Sequence, residues 1–564
     1  MAMKFSQFQF EWRGMKRITN QRTTAGKWAA GLLHRLARDR AGNSFLLIAA
    51  SLIPIAGVIG GGLDMGRAYV SKSKLQSACD AGALAGRKSM VGNIWSAAAL
   101  DAADSYFNVN FMIGKYGTTN LTKSFASADG QTVTGQATAK VPTTLMKIFG
   151  FNEIDLNVSC QAVLNLPNTD VMFVLDTTGS MLNTNPGDST NRITSLRSAV
   201  QSFHSTIESA KPPGTQARYG FVPYSTTVNV GYLMNSAWMV DNWTYQSRVP
   251  DGTDVTFSPS STTYNWMYRP VQYDVSSLKG LTAGGSITAM VGDDFTSRTV
   301  NWRGCIEERD TVRATNYSPI PAGALDMNID LVPTSGNPAS QWRPALPELV
   351  YARMDLHDSG AWSITNVRSS NQAVPNVGDY ESGNWASCPT TARKLAEMSA
   401  SDVTSYLGTL NPAGGTYHDI GMIWGARLMS PTGLFASENA ATPDGNQITR
   451  HLIFMTDGQT DTQPMIYDAY GWPALDRRRV MDASAIPTKA DQDDLVEARL
   501  DAVCSAVKGK NITLWVIAFG TSLSSNLSNC ASSSSNAFEA SNTAQLNMAF
   551  ADIAGKIANL RLKT

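Results

Sequence analysis

The side chains of this 564-residue chain best suited to hold a metal ion sit in three short segments. In the first, Asp176-Thr-Thr-Gly-Ser180, a carboxylate is followed by hydroxyls at alternate positions, Thr178 and Ser180. In the second, Thr416 closes the glycine-rich turn Asn411-Pro-Ala-Gly-Gly-Thr416, and in the third Asp457 lies between Thr456 and Gly458. Together they form an all-oxygen set. A hard cation such as Mg²⁺, or Mn²⁺ or Ca²⁺ in its place, takes oxygen ligands, octahedrally and at about 2.1 Å for Mg²⁺. Hydroxyls leave most of the ion's charge uncompensated, so the metal stays electrophilic toward a carboxylate offered from outside. A metal site of that composition is also a binding site. Taken singly, each segment reads equally well as a turn with capping hydroxyls.

The elements around these segments argue for more than turns. Asp170 to Leu175 (DVMFVL) is a short apolar run of the kind that fills a buried parallel strand, and it ends at Asp176. Ile193, Leu196, Val200, Phe203 and Ile207 then recur at helical spacing. Tyr219 to Tyr224 supplies a second strand. After a stretch from about 230 to 400 without sustained periodicity, regularity returns. His451 to Gly458 is a strand, Leu495, Val496, Leu500, Val503 and Val507 mark a helix, Ile512 to Gly520 is a strand, and Leu546, Phe550, Ile553, Ile557 and Leu560 mark a last helix. Strands alternating with amphipathic helices imply an α/β fold, a doubly wound parallel sheet covered on both faces. Ligands of such sheets bind beyond the carboxyl ends of the strands, where strand order reverses, and both Asp176 and Asp457 end strands.

In order and spacing these segments resemble the von Willebrand factor A domains, whose metal-ion-dependent adhesion site is written Asp-x-Ser-x-Ser, a Thr from a second loop and an Asp from a third. Asp176, Thr178, Ser180, Thr416 and Asp457 match it, with Thr178 in place of a Ser. The resemblance covers roughly 168–230 and 400–562. It implies direct or water-bridged coordination by Thr178, Ser180 and Thr416, and carboxylate ligation, partly through water, by Asp176 and Asp457. It also implies that a protein partner reaches the metal through an acidic side chain. Residues 168–562 form this domain, with 230–400 as an insertion expected to lie over the metal crevice.

The N-terminal part has a different character. Lys4, Arg13, Lys16, Arg17, Arg22, Lys27, Arg35, Arg38 and Arg40 face only Glu11 and Asp39 in residues 1–43, while the whole chain balances 46 basic against 46 acidic residues. The balance gives no basic excess for nucleic acid to recruit. Ser44 to Leu63 is uncharged and long enough to cross a hydrocarbon core of about 30 Å as a helix. The helical pattern continues past Asp64, which favours an uncleaved anchor over a secretory signal. The basic tail before it places the N-terminus in the cytoplasm and the bulk of the chain outside. Residues 64–166 read as Ala-rich helix, continuous with the span, followed by a small sheet with a hairpin at Asp129-Gly130 and a strand over IDLNVSCQAVLN.

Six cysteines, Cys79, Cys160, Cys305, Cys388, Cys504 and Cys530, all lie on the outer side, where disulfides are permitted. Fifteen pairings exist in principle; the one that keeps each pair within one segment joins 79 with 160, 305 with 388 and 504 with 530. The stretch Arg38 to Gly86 is similar to the TadE/TadG-like anchors of the Flp (tight adherence) pilus system, in which TadG-like proteins combine this anchor with a von Willebrand A-like region. After Gly42 the chain reads Asn-Ser-Phe-Leu-Leu, without the Glu that follows the processing glycine of pilins in that system. An integral, single-pass inner-membrane protein with a periplasmic bulk is therefore expected, meeting other components of the pilus system.

Competing chemistry is weak. His34, His204, His357, His418 and His451 show no metal-ligand pairing, and His418 reads as a helix-start residue. No nucleophile elbow and no phosphate-binding loop occurs. Asp326 and Asp330 read as polar residues on one face of a strand. Trp238, Trp243, Trp266, Trp302, Trp342, Trp362 and Trp385 all fall in the insertion and suit either a disulfide-tied accessory core, the favoured reading, or an interface hot spot. The expected protein is no enzyme; a structural scaffold whose metal only staples loops, or a hydrolase in the insertion, are its rivals.

Overall fold

The computed structural model describes residues 43–90, 94–130, 132–164, 168–211, 214–258, 261–351, 367–369, 388–441, 448–558 and 560–562. The basic tail, Gly42, His34, His357, Trp362 and Trp385 lie outside the described residues. The chain divides into two compact units.

The first unit takes its described residues from Met1–Gly82, Asp104–Phe125 and Thr134–Cys160. A single helix, α1 (Asn43–Ser89), carries the apolar span straight on into the Ala-rich stretch, as its sequence implies, with Pro54 inside it. It is long and apolar enough to cross a membrane. Along the span Leu47, Ile48, Leu52, Ile53, Val58 and Ile59 are all more than half exposed, which in water would be a large unmet hydrophobic cost. Helix α2 (Ala97–Asn110) and strands β1 (Thr119–Ala126), β2 (Thr132–Pro142) and β3 (Glu153–Leu164) follow, the three strands adjacent in that order. On β2, inward Val133, Ala137, Ala139 and Val141 alternate with outward neighbours. Cys79 and Cys160 are joined.

The second unit comprises Ala83–Ala103, Ala126–Val133 and the chain from Gln161. Its sheet is built from β4 (Thr169–Asp176), β5 (Ala217–Tyr224), β8 (Arg393–Ala396), β9 (Thr449–Thr456), β10 (Ile512–Phe519) and β11 (Ala537–Ala540); β6 (Asn242–Ser258) and β7 (Ser261–Asp274) belong to the insertion. The order is β8-β5-β4-β9-β10-β11, parallel except for β8 at the edge. Strand order reverses between β4 and β9. Val171, Phe173 and Leu175 of β4 pack on one face with α3 (Arg192–Ala210) and α7 (Thr543–Ile557), and Met172 and Val174 pack on the other with α5 (His418–Met429) and α6 (Lys489–Lys508). Ile193, Leu196, Val200, Phe203 and Ile207 of α3, Leu495, Val496, Leu500, Val503 and Val507 of α6, and Leu546, Phe550, Ile553 and Ile557 of α7 are buried, and Leu560 falls in a short strand (Leu560–Leu562) rather than on the last helix. All twelve residues of α5 are buried. That helix comes close to the sheet because Gly421 and Gly425 leave room where a Cβ would meet the Tyr224 ring and the Val174 side chain.

The insertion is more regular than its sequence suggests. Strands β6 (Asn242–Ser258) and β7 (Ser261–Asp274) form a long antiparallel hairpin in which Trp243 opposes Tyr273 and Tyr245 opposes Val271. Trp266, Trp302 and Trp342 are buried, consistent with an accessory core, whereas Trp238 and Trp243 are only partly so. The insertion packs against α5 and α6: the Trp342 and Trp424 rings lie 5.2 Å apart and Arg427 pairs with Glu308. Asp326 and Asp330 are in turns, not on a strand. Each is instead held by a cation from α6 or just beyond it, Asp326 by Arg499 and Asp330 by Lys510, and that pairing outweighs any alternating pattern. Cys305 is joined to Cys388 and Cys504 to Cys530.

Candidate metal centre

Asp176 is the last residue of β4 and Asp457 the first after β9, so parallel pairing of these strands puts both carboxyls at one end of the sheet, at the point where its order reverses. A short 3₁₀ turn, Gly179–Leu182, follows β4 and brings Ser180 back over the strand end. There the Ser180 hydroxyl donates to Asp457 Oδ1 at 2.7 Å and lies 3.0 Å from Thr178 Oγ1. The Thr178 amide donates to Asp176 Oδ1 at 2.9 Å. Asp176, Thr178, Ser180 and Asp457 thus form one connected run of oxygens. The second loop is tied to the first by backbone, the Gly179 amide donating to Gly414 O at 3.1 Å and the Ala413 amide to Thr177 O at 2.9 Å. Thr416, two residues on, is buried and exchanges backbone hydrogen bonds with Asp461.

Several residues that the sequence reading passed over complete the site. Arg192, at the start of α3, donates to Asp457 Oδ2 at 2.9 Å and to Asn185 Oδ1 at 2.7 Å. Thr456 donates to Asp176 Oδ2 at 2.8 Å, and the Tyr224 hydroxyl reaches the same oxygen at 3.3 Å. His418 Nε2 is 2.9 Å from Thr456 Oγ1 and its Nδ1 is 3.1 Å from Thr460 Oγ1. Because the Thr456 proton goes to Asp176, His418 donates through Nε2 and accepts from Thr460 at Nδ1, an assignment drawn from the network. His418 does start a helix, and it also orients the partner of a candidate ligand. Burial pushes its pKa down to about 4, so it is neutral. The available signal was position, since Thr456 and His418 directly adjoin two of the three loops and Arg192 opens the helix that follows the first.

Electrostatics set the character of the site. Asp176 and Asp457 are at most 2% exposed. Burial, together with repulsion from Asp457, pushes the Asp176 carboxyl up to about 7. Burial also raises Asp457, against the pull of Ser180 and Arg192. One guanidinium for two buried carboxyls leaves negative charge uncompensated. Among the described residues no three His, Cys, Asp or Glu side chains cluster tightly enough to hold a metal. The donors here are instead two carboxyls and neutral hydroxyls, and that composition fits a hard divalent ion better than a soft one.

Comparison with known proteins bears on the other end of the chain. Residues 42–105 match the family model described as "Tad: Putative Flp pilus-assembly TadE/G-like". This segment is TadE/TadG-like. The matched residues include all of helix α1, which is long and apolar enough to cross a membrane. No curated protein matches the chain. Among solved structures it is similar to the pilus adhesin SpaC from Lactobacillus rhamnosus GG, at 12% identity over 78% of this chain and 34% of that one, TM-score 0.31. It is also similar to the vWF domain of the type V pili tip protein Mfa5 from Porphyromonas gingivalis, at 10% identity over 70% and 96%, TM-score 0.29. A third is proximal thread matrix protein 1 from the mussel byssus, with a zinc occupied MIDAS motif, at 11% identity over 72% and 50%, TM-score 0.27. The chain spans between a third and a half of the first structures it matches.

Proposed function

We propose that this TadE/TadG-like, membrane-anchored chain binds a protein partner through a divalent ion held by Asp176, Thr178, Ser180, Thr416 and Asp457, in the manner of a von Willebrand A-type adhesion site. The observation that carries the proposal is the Ser180 hydroxyl. It links Thr178 on its own loop to Asp457 from the neighbouring strand, so that ligands from two loops converge on one point. The ion would be Mg²⁺, or Mn²⁺ or Ca²⁺, and when bound it would supply a positive centre for an acidic side chain of the partner. The chain's own residues do the positioning. Thr456, itself oriented by His418, and Tyr224 hold Asp176, and Arg192 holds Asp457. Direct hydrogen bonds already tie the loops together, so the ion acts outward more than as a staple. In this reading the N-terminus is cytoplasmic, the bulk is periplasmic, and the role is assembly or adhesion rather than catalysis.

The test is calorimetric titration of the full chain in detergent with Mg²⁺, in wild type and Asp176→Ala. Saturable binding in wild type and its loss in the variant, with an unchanged far-ultraviolet circular dichroism spectrum, is the expected outcome. Equal affinity in both would overturn the site.

A further inference from the structure

The connection between β2 and β3 is built in a way that neither the sheet nor the metal site requires. Residues 141–152 (VPTTLMKIFGFN) carry a single charge, Lys147, and leave apolar side chains in the open: Ile148 is 80% exposed, Phe151 51% and Phe149 38%. The loop lies along α1 itself. A Cβ at Gly60 would meet Leu145, one at Gly57 would touch the Phe149 ring, and one at Gly61 would lie beside the Met146 sulfur. Gly57 stands seven residues before Asp64, about 10 Å along the helix axis. The loop therefore reaches well below the end of the uncharged segment.

Its backbone is equipped for a place without water. The Asp64 carboxylate, 1% exposed, accepts the amides of Thr144, Leu145 and Met146 at 2.9 to 3.0 Å. The amides of Ile148, Gly150 and Phe151 donate to Leu145, Lys147 and Met146 carbonyls within the turn. Six consecutive or near-consecutive donors are thus satisfied internally, as irregular backbone must be near hydrocarbon. A loop bathed in water has no such need. Lys147, exposed on the turn, can extend toward phosphate. Charge resumes at once on the flanking strands with the Lys140–Glu153 pair.

We infer that Leu145–Phe151 inserts into the lipid bilayer beside α1, a second membrane contact in which Ile148, Phe149 and Phe151 enter the acyl region while Asp64 accepts the amides of Thr144, Leu145 and Met146. The inference rests on the reading of residues 44–63 as a span. All six cysteines are engaged in disulfides, so an introduced thiol can be labelled alone. The full chain, as Ile148→Cys and separately as Val58→Cys, is labelled with the environment-sensitive NBD fluorophore and reconstituted into phosphatidylcholine vesicles. Doxyl-lipid and aqueous iodide then serve as quenchers. Blue-shifted emission quenched by doxyl-lipid at both positions is expected. Doxyl quenching at Val58 but iodide quenching at Ile148 overturns the loop insertion and leaves the span standing. At Ile148, protection from both quenchers means a protein cover, a second copy or a partner, and also overturns it. Iodide quenching at Val58 removes the span and the inference with it.

Discussion

Asp176 carries the most information per atom in this chain. Its Oδ1 takes the Thr178 amide and its Oδ2 takes Thr456 and Tyr224, in a place with no solvent exposure. With the carboxyl pushed up to about 7 by burial and Asp457, the folded protein binds this proton far more tightly than an unfolded chain, where an aspartate titrates near 3.9. The stabilisation due to protonation is therefore complete below about pH 4 and is lost as pH rises through about 7. If the proposed divalent ion takes the place of the proton, its benefit grows over the same window. We expect the rise in melting temperature on replacing EDTA with Mg²⁺ to be small at pH 5 and large at pH 8, and to be absent in Asp176→Asn. A rise of equal size at both pH values in wild type would refute this role for Asp176. The five candidate ligand positions are marked in the sequence because each is a residue type set at a strand end or in a glycine turn. Arg192, Thr456 and His418 are marked only by lying next to these segments, and Tyr224 not even by that, because it is parallel register with a strand far off in sequence that sets it opposite Asp176.

At the scale of elements, helices were the easiest to read and the insertion the hardest. The stripes of α3, α6 and α7 show one apolar face each, whereas α5 is buried on all sides and so has no face to detect. The β6–β7 hairpin was missed because its inward aromatics, among them Tyr245, Trp266 and Tyr268, alternate with residues that also pack, which blurs the two-residue period. The insertion shares an apolar core with the sheet domain, and a buried polar cluster ties the two further. Glu308, fully buried, accepts the indole N–H of Trp342 at 3.0 Å and of Trp424 at 2.6 Å, and pairs with Arg427 at 2.7 Å. Glu308→Ala would strand a buried guanidinium and two indoles, at a cost of about 3–5 kcal/mol. Denaturant unfolding should show that loss, with a smaller one in Glu308→Gln, which keeps an acceptor. A Glu308→Ala protein as stable as wild type would mean the insertion is held by its apolar contacts alone.

For the whole molecule, the cysteines are the clearest link between sequence and environment. All six described thiols are paired, each pair as expected from keeping partners within one segment of the chain. That rule works because a cross-link forms most readily between parts that fold together, and it fails only where segments interleave. In the chain-entropy account a disulfide stabilises by removing loop freedom from the unfolded state. Cys504–Cys530 closes 26 residues and Cys305–Cys388 closes 83, for which that account gives about 3.5 and about 4.5 kcal/mol respectively. Opening the longer loop in the Cys305→Ala, Cys388→Ala double variant should therefore cost more than opening the shorter one in Cys504→Ala, Cys530→Ala. The ordering is the sharper part of the prediction, since strain shifts absolute values and both variants are compared in one fold. Urea unfolding of the full chain in detergent reads it directly. A larger loss from the 26-residue loop would show that the bridge next to α6 and β10 acts through native packing, and that the insertion retains its shape without a covalent tie.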